Sequence, residues 1–199
     1  MKKIISILLG ICLCGGVFAQ TQLKIISFNI HAGYDAPIAD IAAFIKEQDP
    51  DIVALQEVEY YTNRTGANTP RPINDNMLNE LAYLTGMHGM FYVTLEKCYG
   101  GKFGNAILSK HSFDETRRIM LPCAAGTEQR NAAIADIKLP DGTEFSIVDT
   151  HIDMSKLDNG MSQIKEVNRI PQLGKHYIVA GDMNRRVGTA EINELSSVS

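Results

Sequence analysis

The sequence has 199 residues, 45% of them apolar and 21% charged, with a formal net charge of −4. That length is enough for one domain with a real core, and the composition is that of a globular protein rather than a disordered or low-complexity chain. The acidic balance argues against a nucleic-acid binder that works through an overall basic charge, although a local basic groove is compatible with it.

In chain order, Lys2 and Lys3 precede an apolar run from Ile4 to Val17, and Val17-Phe18-Ala19 places small residues ahead of Gln20. This pattern predicts a secretory signal peptide over residues 1–19 and a domain over 20–199. The run is too short and too Gly-rich to read as a membrane anchor, and neither Cys12 nor Cys14 has the preceding small residue of a lipidation site. Removing the segment takes away two lysines and no acid, so the remainder is more acidic by two. Cys98 and Cys123 remain. Export permits a disulfide between them, and their pairing is left open. With no CxxC and no His partner they do not read as a zinc site. No second apolar stretch is long enough for a membrane span, so the expected product is an exported monomer, periplasmic or extracellular.

Leu23 to Ile30 reads as a strand, with Asn29 and His31 on one face and Phe28 and Ile30 on the other, toward the core. Ile38, Ile41, Ala42 and Ile45 predict an amphipathic helix over 38–48, with Pro37 in its first turn and Asp49-Pro50 ending it. Asp51 to Leu55 is a buried strand, and Glu57 follows just after it. Residues 59–76 read as a long polar loop carrying Tyr60, Tyr61, Arg64, Pro70, Arg71 and Pro72, suited to covering a site. Asn63-Arg64-Thr65 matches a glycosylation sequon. Met77 to Thr85 is a helix stopped by Gly86, and Met90 to Thr94 a strand. A Gly-rich approach follows into a strand over 106–109; it lacks the Lys-Ser/Thr closure of a P-loop. Strands are predicted at 113–120, 131–139 and 144–150, the last two joined by a Pro140-Asp141-Gly142-Thr143 turn. Asp149, His151 and Asp153 alternate onto one face. A helix over 159–173 uses Met161, Ile164, Val167 and Ile170 inward and ends near Pro171. His176 to Ala180 is a buried strand, Gly181 breaks the run, and Asp182 and Asn184 leave on one side. A short helix follows at 189–195.

Short strands with two or three helices and hairpins between them predict a layered α/β structure. Asn29, Glu57, His151, Asp182 and Asn184 all fall at C-terminal ends of predicted strands, where sites collect in such folds. Singly, each reads as a cap, turn or surface residue. Together, a carboxylate and an amide with open water positions suit Mg²⁺ and a substrate phosphate, and His and Arg suit a developing negative charge.

At these residues the chain resembles the endonuclease/exonuclease/phosphatase superfamily, metal-dependent phosphoesterases related to deoxyribonuclease. The resemblance rests on SFNIH (27–31), LQEV (55–58), GKFGNAILSK (101–110), EQRNAA (128–133), DTHID (149–153) and AGDMN (180–184), six motifs in the family's order across nearly all of the chain after the signal. It implies a four-layer α/β sandwich, two mixed and largely antiparallel sheets between helices. It implies Mg²⁺ as cofactor, with Mn²⁺ as the alternative, bound by Glu57 with Asn29 beside it. Asp182 would orient or activate the attacking water, Asn184 would hold a phosphoryl oxygen, and His151 would stabilise the phosphate or act as acid. Arg130 and Asn105 are further phosphate contacts. The family pattern runs on past GDMN for two strands and ends in an Asp-His pair that these 199 residues do not contain, so the expectation is a domain lacking its final strands, with an open apolar sheet edge. His31 stands where exonuclease-type members carry an acid, which leans toward sphingomyelinase- and phosphatase-like relatives. The expected activity is exported hydrolysis of phosphodiesters or phosphomonoesters by metal-assisted water attack, on a lipid headgroup or small molecule in preference to nucleic acid. The alternatives are a secreted nuclease and an inactive remnant.

Overall fold

A computed structural model describes residues 22–64, 76–170 and 176–196. The expected signal peptide, the middle of the 59–76 loop with Pro70, Arg71 and Pro72, Thr65 of the sequon, and Pro171 all lie outside these residues.

Two four-stranded sheets lie face to face. The first holds β1 (Ile25–Asn29), β2 (Ile52–Tyr60), β3 (His88–Cys98) and β4 (Gly101–Ser109), in the order β1-β2-β4-β3. The second holds β5 (Phe113–Met120), β6 (Asn131–Lys138), β7 (Glu144–His151) and β8 (His176–Asp182), in that order. β1 pairs with β2, and β7 with β8, in parallel, and the other neighbours are antiparallel. Helices α1 (Ile38–Gln48) and α2 (Met77–Thr85) cover the first sheet, and α3 (Leu157–Val167) with α4 (Ala190–Ser196) covers the second. This is the four-layer sandwich of two mixed sheets.

Strand alternation sorts the side chains into three cores. Phe28, Val53, Leu55 and Leu108 face α1 and α2 together with Ile38, Ile41, Ala42 and Ile45. Ile134, Val148 and Val179 face α3 with Ile164 and Val167. Between the sheets lie Ile25, Ile52, Ile107, Ile137, Ile147 and Ile178. α1 occupies the predicted span and ends on Asp49 in the left-handed conformation, with Pro37 just before it as cap rather than in its first turn. α2 also matches, capped by the Asn76 side chain and closed by left-handed Gly86.

Several expectations are corrected. β2 does not end near Leu55: it runs to Tyr60 across a bulge between Leu55 and Val58, and Glu57 sits in that bulge at φ +59°. A bulge re-aims a side chain without ending the pairing, so Glu57 belongs to a strand interior. β4 begins at Gly101, and a Cβ at Gly101 or Gly104 would run into the backbone of the neighbouring strands, so this stretch is strand rather than an approach to one. His31 and Ala32 both have positive φ and open a short 3-10 turn, which stops the β1 alternation at Asn29 and leaves His31 in solvent beside Asp35. β7 ends at His151, so Asp153 is off its face. Its carboxylate accepts from Ser155 and Asn159 beside α3. In α3 the inner stripe is Gly160, Gln163, Ile164 and Val167, with Met161 only half-buried, and Ile170 is buried just beyond the helix. Cys98, buried, and Cys123, exposed, are both free thiols. Among the described residues no helix is long and apolar enough to cross a membrane.

Candidate functional site

The inward faces of the strands change character at one common height. β1 turns from Ile25 to Ser27 and Asn29, β2 from Ile52 to Gln56, β7 from Ile147 to Asp149 and His151, and β8 from Ile178 to Asp182. Parallel pairing puts His151 directly beside Asp182 and Asn29 beside Gln56. The polar residues therefore collect at one end of the layer between the sheets. They border an open cleft of about 620 Å³ lined by Ser27, Asn29, Gln56, Asp182, Asn184 and Arg186 among others.

Asn29 joins the two sheets at the rim. Its Nδ2 donates to Glu57 Oε1 at 2.9 Å and to Asp182 Oδ2 at 3.0 Å, while its Oδ1 accepts the His31 backbone N–H at 2.9 Å. Two carboxylates are thereby held by one amide. Burial pushes the Asp182 carboxyl up, but hydrogen bonds from Asn29 and from the Asn184 N–H, with the charges of His151 and Arg130, outweigh it and leave it below the usual aspartate value. Asp182 therefore stays ionised near neutral pH.

His151 is 5% exposed. Burial first, and the Arg130 guanidinium second, lower it to about 4 against the opposing pull of Asp182 and Glu57, so it is a neutral imidazole at pH 7. Arg130 Nη1 lies 3.0 Å from Nδ1 and Asn184 Nδ2 lies 2.9 Å from Nε2, and both can only donate, so the neutral ring accepts from one or the other according to its tautomer. Nε2 also lies 3.8 Å from Asp182 Oδ2. The Asn184 amide is oriented by donation to the Ile152 carbonyl at 2.8 Å, so its nitrogen, and not its oxygen, faces the ring. His151 and the Asn184 amide therefore lie together beside Asp182, with Arg130 on the other edge of the ring. Arg130 adds a positive charge there. Its Nη1 also pairs with Glu128, and its buried Nε has no hydrogen-bond partner among the described residues.

Asn184 is left-handed at φ +50°, and Asp182 Oδ1 accepts its backbone N–H. Gly181, at φ +144°, has no room for a Cβ against the Thr150 backbone, so this glycine sets the close approach of β8 to β7 rather than breaking the strand. Arg185 holds the loop from behind, donating to the carbonyls of Asn184 and Asp153 and pairing with Glu191 at 2.9 Å.

Of the sequence-derived candidates, the structure brings Asn29, Glu57, Arg130, His151, Asp182 and Asn184 into one connected cluster beside the cleft. Asn105 lies deeper, 3% exposed, with its Nδ2 3.5 Å from the Asp149 carbonyl. Gln56, Asp149 and Asn131 were not singled out as site residues, although their alternation with the inward apolar positions of β2, β7 and β6 places them beneath it. Among the described residues no three His, Cys, Asp or Glu side chains form a metal cage. The donors that do meet, the Glu57 and Asp182 carboxylates bridged by the Asn29 amide nitrogen, are hard oxygens, and Asp182 borders the open cleft. They fit a hard divalent cation that keeps several water ligands, and they lack the thiolates and imidazoles of a structural zinc site.

The model of the Endonuclease/Exonuclease/phosphatase family matches residues 26–197. The chain belongs to this family. The family's name covers enzymes that hydrolyse phosphoester bonds, and its enzymes usually use divalent metals. Solved structures agree on the fold. An endonuclease/exonuclease/phosphatase from Beutenbergia cavernae is 22% identical at a TM-score of 0.69, over 88% of this chain and 53% of that one. A mannosyl-6-phosphatase from Bacteroides thetaiotaomicron is 14% identical at 0.68, over 88% and 70%. The human Nocturnin catalytic domain with bound sulfate is 20% identical at 0.64, over 88% and 69%. The chain thus spans about half the length of the Beutenbergia protein. No curated protein sequence gives a significant match.

Proposed function

We propose that this chain carries the metal and phosphate site of an exported, Mg²⁺-dependent phosphoesterase that hydrolyses a phosphodiester or phosphomonoester by attack of water. Glu57 and Asp182, spaced by Asn29, would hold the cation, and the cation would polarise a phosphoryl oxygen. Asp182, ionised and at the edge of the cleft, accepts a hydrogen bond from the attacking water and orients it. His151 and the Asn184 amide would donate to the phosphoryl oxygens, and the Arg130 charge would stabilise the negative charge that grows on them. The observation that carries this reading is one connected cluster in which the Glu57 and Asp182 carboxylates, bridged by Asn29, adjoin His151, Asn184 and the Arg130 cation: the carboxylates suit a cation, and the imidazole, amide and guanidinium suit an oxyanion.

Export is supported by the signal-like residues 1–19. A small molecule or lipid headgroup is supported as substrate by the acidic balance, and the phosphatase among the structural neighbours acts in its printed name on a sugar phosphate. Hydrolysis of p-nitrophenyl phosphate and bis-p-nitrophenyl phosphate by the purified chain with Mg²⁺ tests the reading, alongside binding of inorganic phosphate with and without the metal. The expected result is metal-dependent turnover or, at the least, metal-dependent phosphate binding, abolished by Glu57→Ala. Neither turnover nor binding would refute it. Plasmid cleavage at a rate well above that of the small esters would favour the nuclease alternative.

A further inference from the structure

Beneath the rim the two sheets are joined again. Asp149, on β7, is fully buried, and its Oδ1 accepts a 2.6 Å hydrogen bond from Gln56 Nε2 on β2 of the opposite sheet. Gln56 is itself 1% exposed and is steadied by the Ala54 carbonyl at 3.2 Å and Ser27 Oγ at 3.4 Å. Asp149 Oδ2 has no hydrogen-bond partner among the described residues. A buried carboxyl with one oxygen left without a partner is costly, so the tie calls for a purpose other than stability. Its position supplies one. Gln56 immediately precedes Glu57, and Asp149 is two residues, one pleat, below His151. The bond therefore spans the gap between the half of the site on the first sheet and the half on the second.

We propose that Asp149 is a positioning residue that, through Gln56, holds the two sheets at the separation at which Glu57 on one and His151, Asp182 and Asn184 on the other act as a single site. This rests on the phosphoester reading above. Burial drives the Asp149 carboxyl well above the usual aspartate value against the opposing pull of the Gln56 and Thr150 hydrogen bonds. Asn105, on β4 of the first sheet, adds a second tie at this level by donating to the Asp149 backbone carbonyl at 3.5 Å, so the Gln56 bond is the one that engages the Asp149 side chain.

The test is the coupling between Mn²⁺ and inorganic phosphate, measured by calorimetric titration of each in the absence and presence of the other on the full chain. In the unsubstituted protein each tightens the other. In Asp149→Ala and in Gln56→Leu the coupling falls by about five-fold or more, while phosphate binding without metal changes by less than about two-fold. Asp149→Asn, which keeps the acceptor for Gln56, retains the coupling. A tie that merely stabilises the fold would lower the melting temperature and leave the coupling intact, and that result overturns the proposal. So does loss of coupling in Asp149→Asn equal to that in Asp149→Ala. If Asp149→Ala does not fold, Gln56→Leu decides. Absence of coupling in the unsubstituted protein would instead refute the phosphoester reading, and this inference with it.

Discussion

The layer between the two sheets has two ends built from the same strands. At one end Ile52, Ile107, Ile137, Ile147 and Ile178 close against one another in an apolar cluster. At the other end the same strands present Gln56, Asn105, Asn131, Asp149, His151 and Asp182, and the sheets are held by hydrogen bonds. Tyr92 stands between the two regimes, its ring in the apolar cluster and its hydroxyl donating to the Ile134 carbonyl of the opposite sheet at 3.1 Å. Apolar packing is non-directional and contributes stability. Hydrogen bonds across the sheets contribute little net stability but specify distance and orientation. One end therefore secures the fold, and the other keeps open a gap of defined width in which reacting groups are spaced.

Substitutions at the two ends should separate stability from function. The largest functional effect belongs to the polar end. Glu57→Ala and His151→Ala should each lower metal-dependent hydrolysis by roughly 100-fold or more, the scale of removing one charge-stabilising group, with little change in urea midpoint. The largest effect on stability belongs to the apolar end. Ile147→Ala should cost about 2–5 kcal/mol in urea unfolding and leave the Mn²⁺–phosphate coupling of the folded fraction unchanged. If Ile147→Ala abolished the coupling at full folding, the separation of roles would be wrong.

Acid sharpens the contrast. His151 is depressed to about 4 in the folded state from 6.5, so the unfolded chain takes up its proton first as pH falls. Stability is fully present above pH 6.5 and is lost progressively down to pH 4, by about 3 kcal/mol in all. The ionised Asp182, lowered from 3.8, adds a further loss only below that window. Unfolding free energies at pH 7 and pH 4 should therefore differ by less in His151→Gln than in the unsubstituted protein. An equal drop in both would show that this imidazole does not carry the acid sensitivity. The smallest effect is expected at the boundary, where Tyr92→Phe should lose about 1 kcal/mol, one buried hydrogen bond, with hydrolysis unaltered.

Much of the sandwich was legible in the residues. The spacing of Ile38, Ile41, Ala42 and Ile45 marked α1, Gly86 closed α2, and the Asp141-Gly142 turn joined β6 to β7, because helix period and turn chemistry are local properties. The site was legible through residues that sit on strand ends, such as His151 and Asp182, and through the family resemblance. Glu57 was found for an incomplete reason: a bulge is a property of two paired strands, and one strand's residues do not announce it. Asp153 was grouped with His151 because alternation was extended one step past the end of β7. Gln56 passed unremarked, and Asp149 was noted only for sharing a face with His151, because a buried polar residue in a strand looks ordinary until its partner on another strand is known.

The order of apolar and polar residues along each strand determined which side chains face inward and that polarity rises toward one end. It determined the chemistry on offer as well: carboxylates, amides, one imidazole and one guanidinium. Only the tertiary structure decided the heights at which the strands pair, and those heights place Asn29 between Glu57 and Asp182 and His151 against Asn184. Pairing register and sheet separation are set by contacts between residues dozens of positions apart, and no local pattern encodes a distance across a fold.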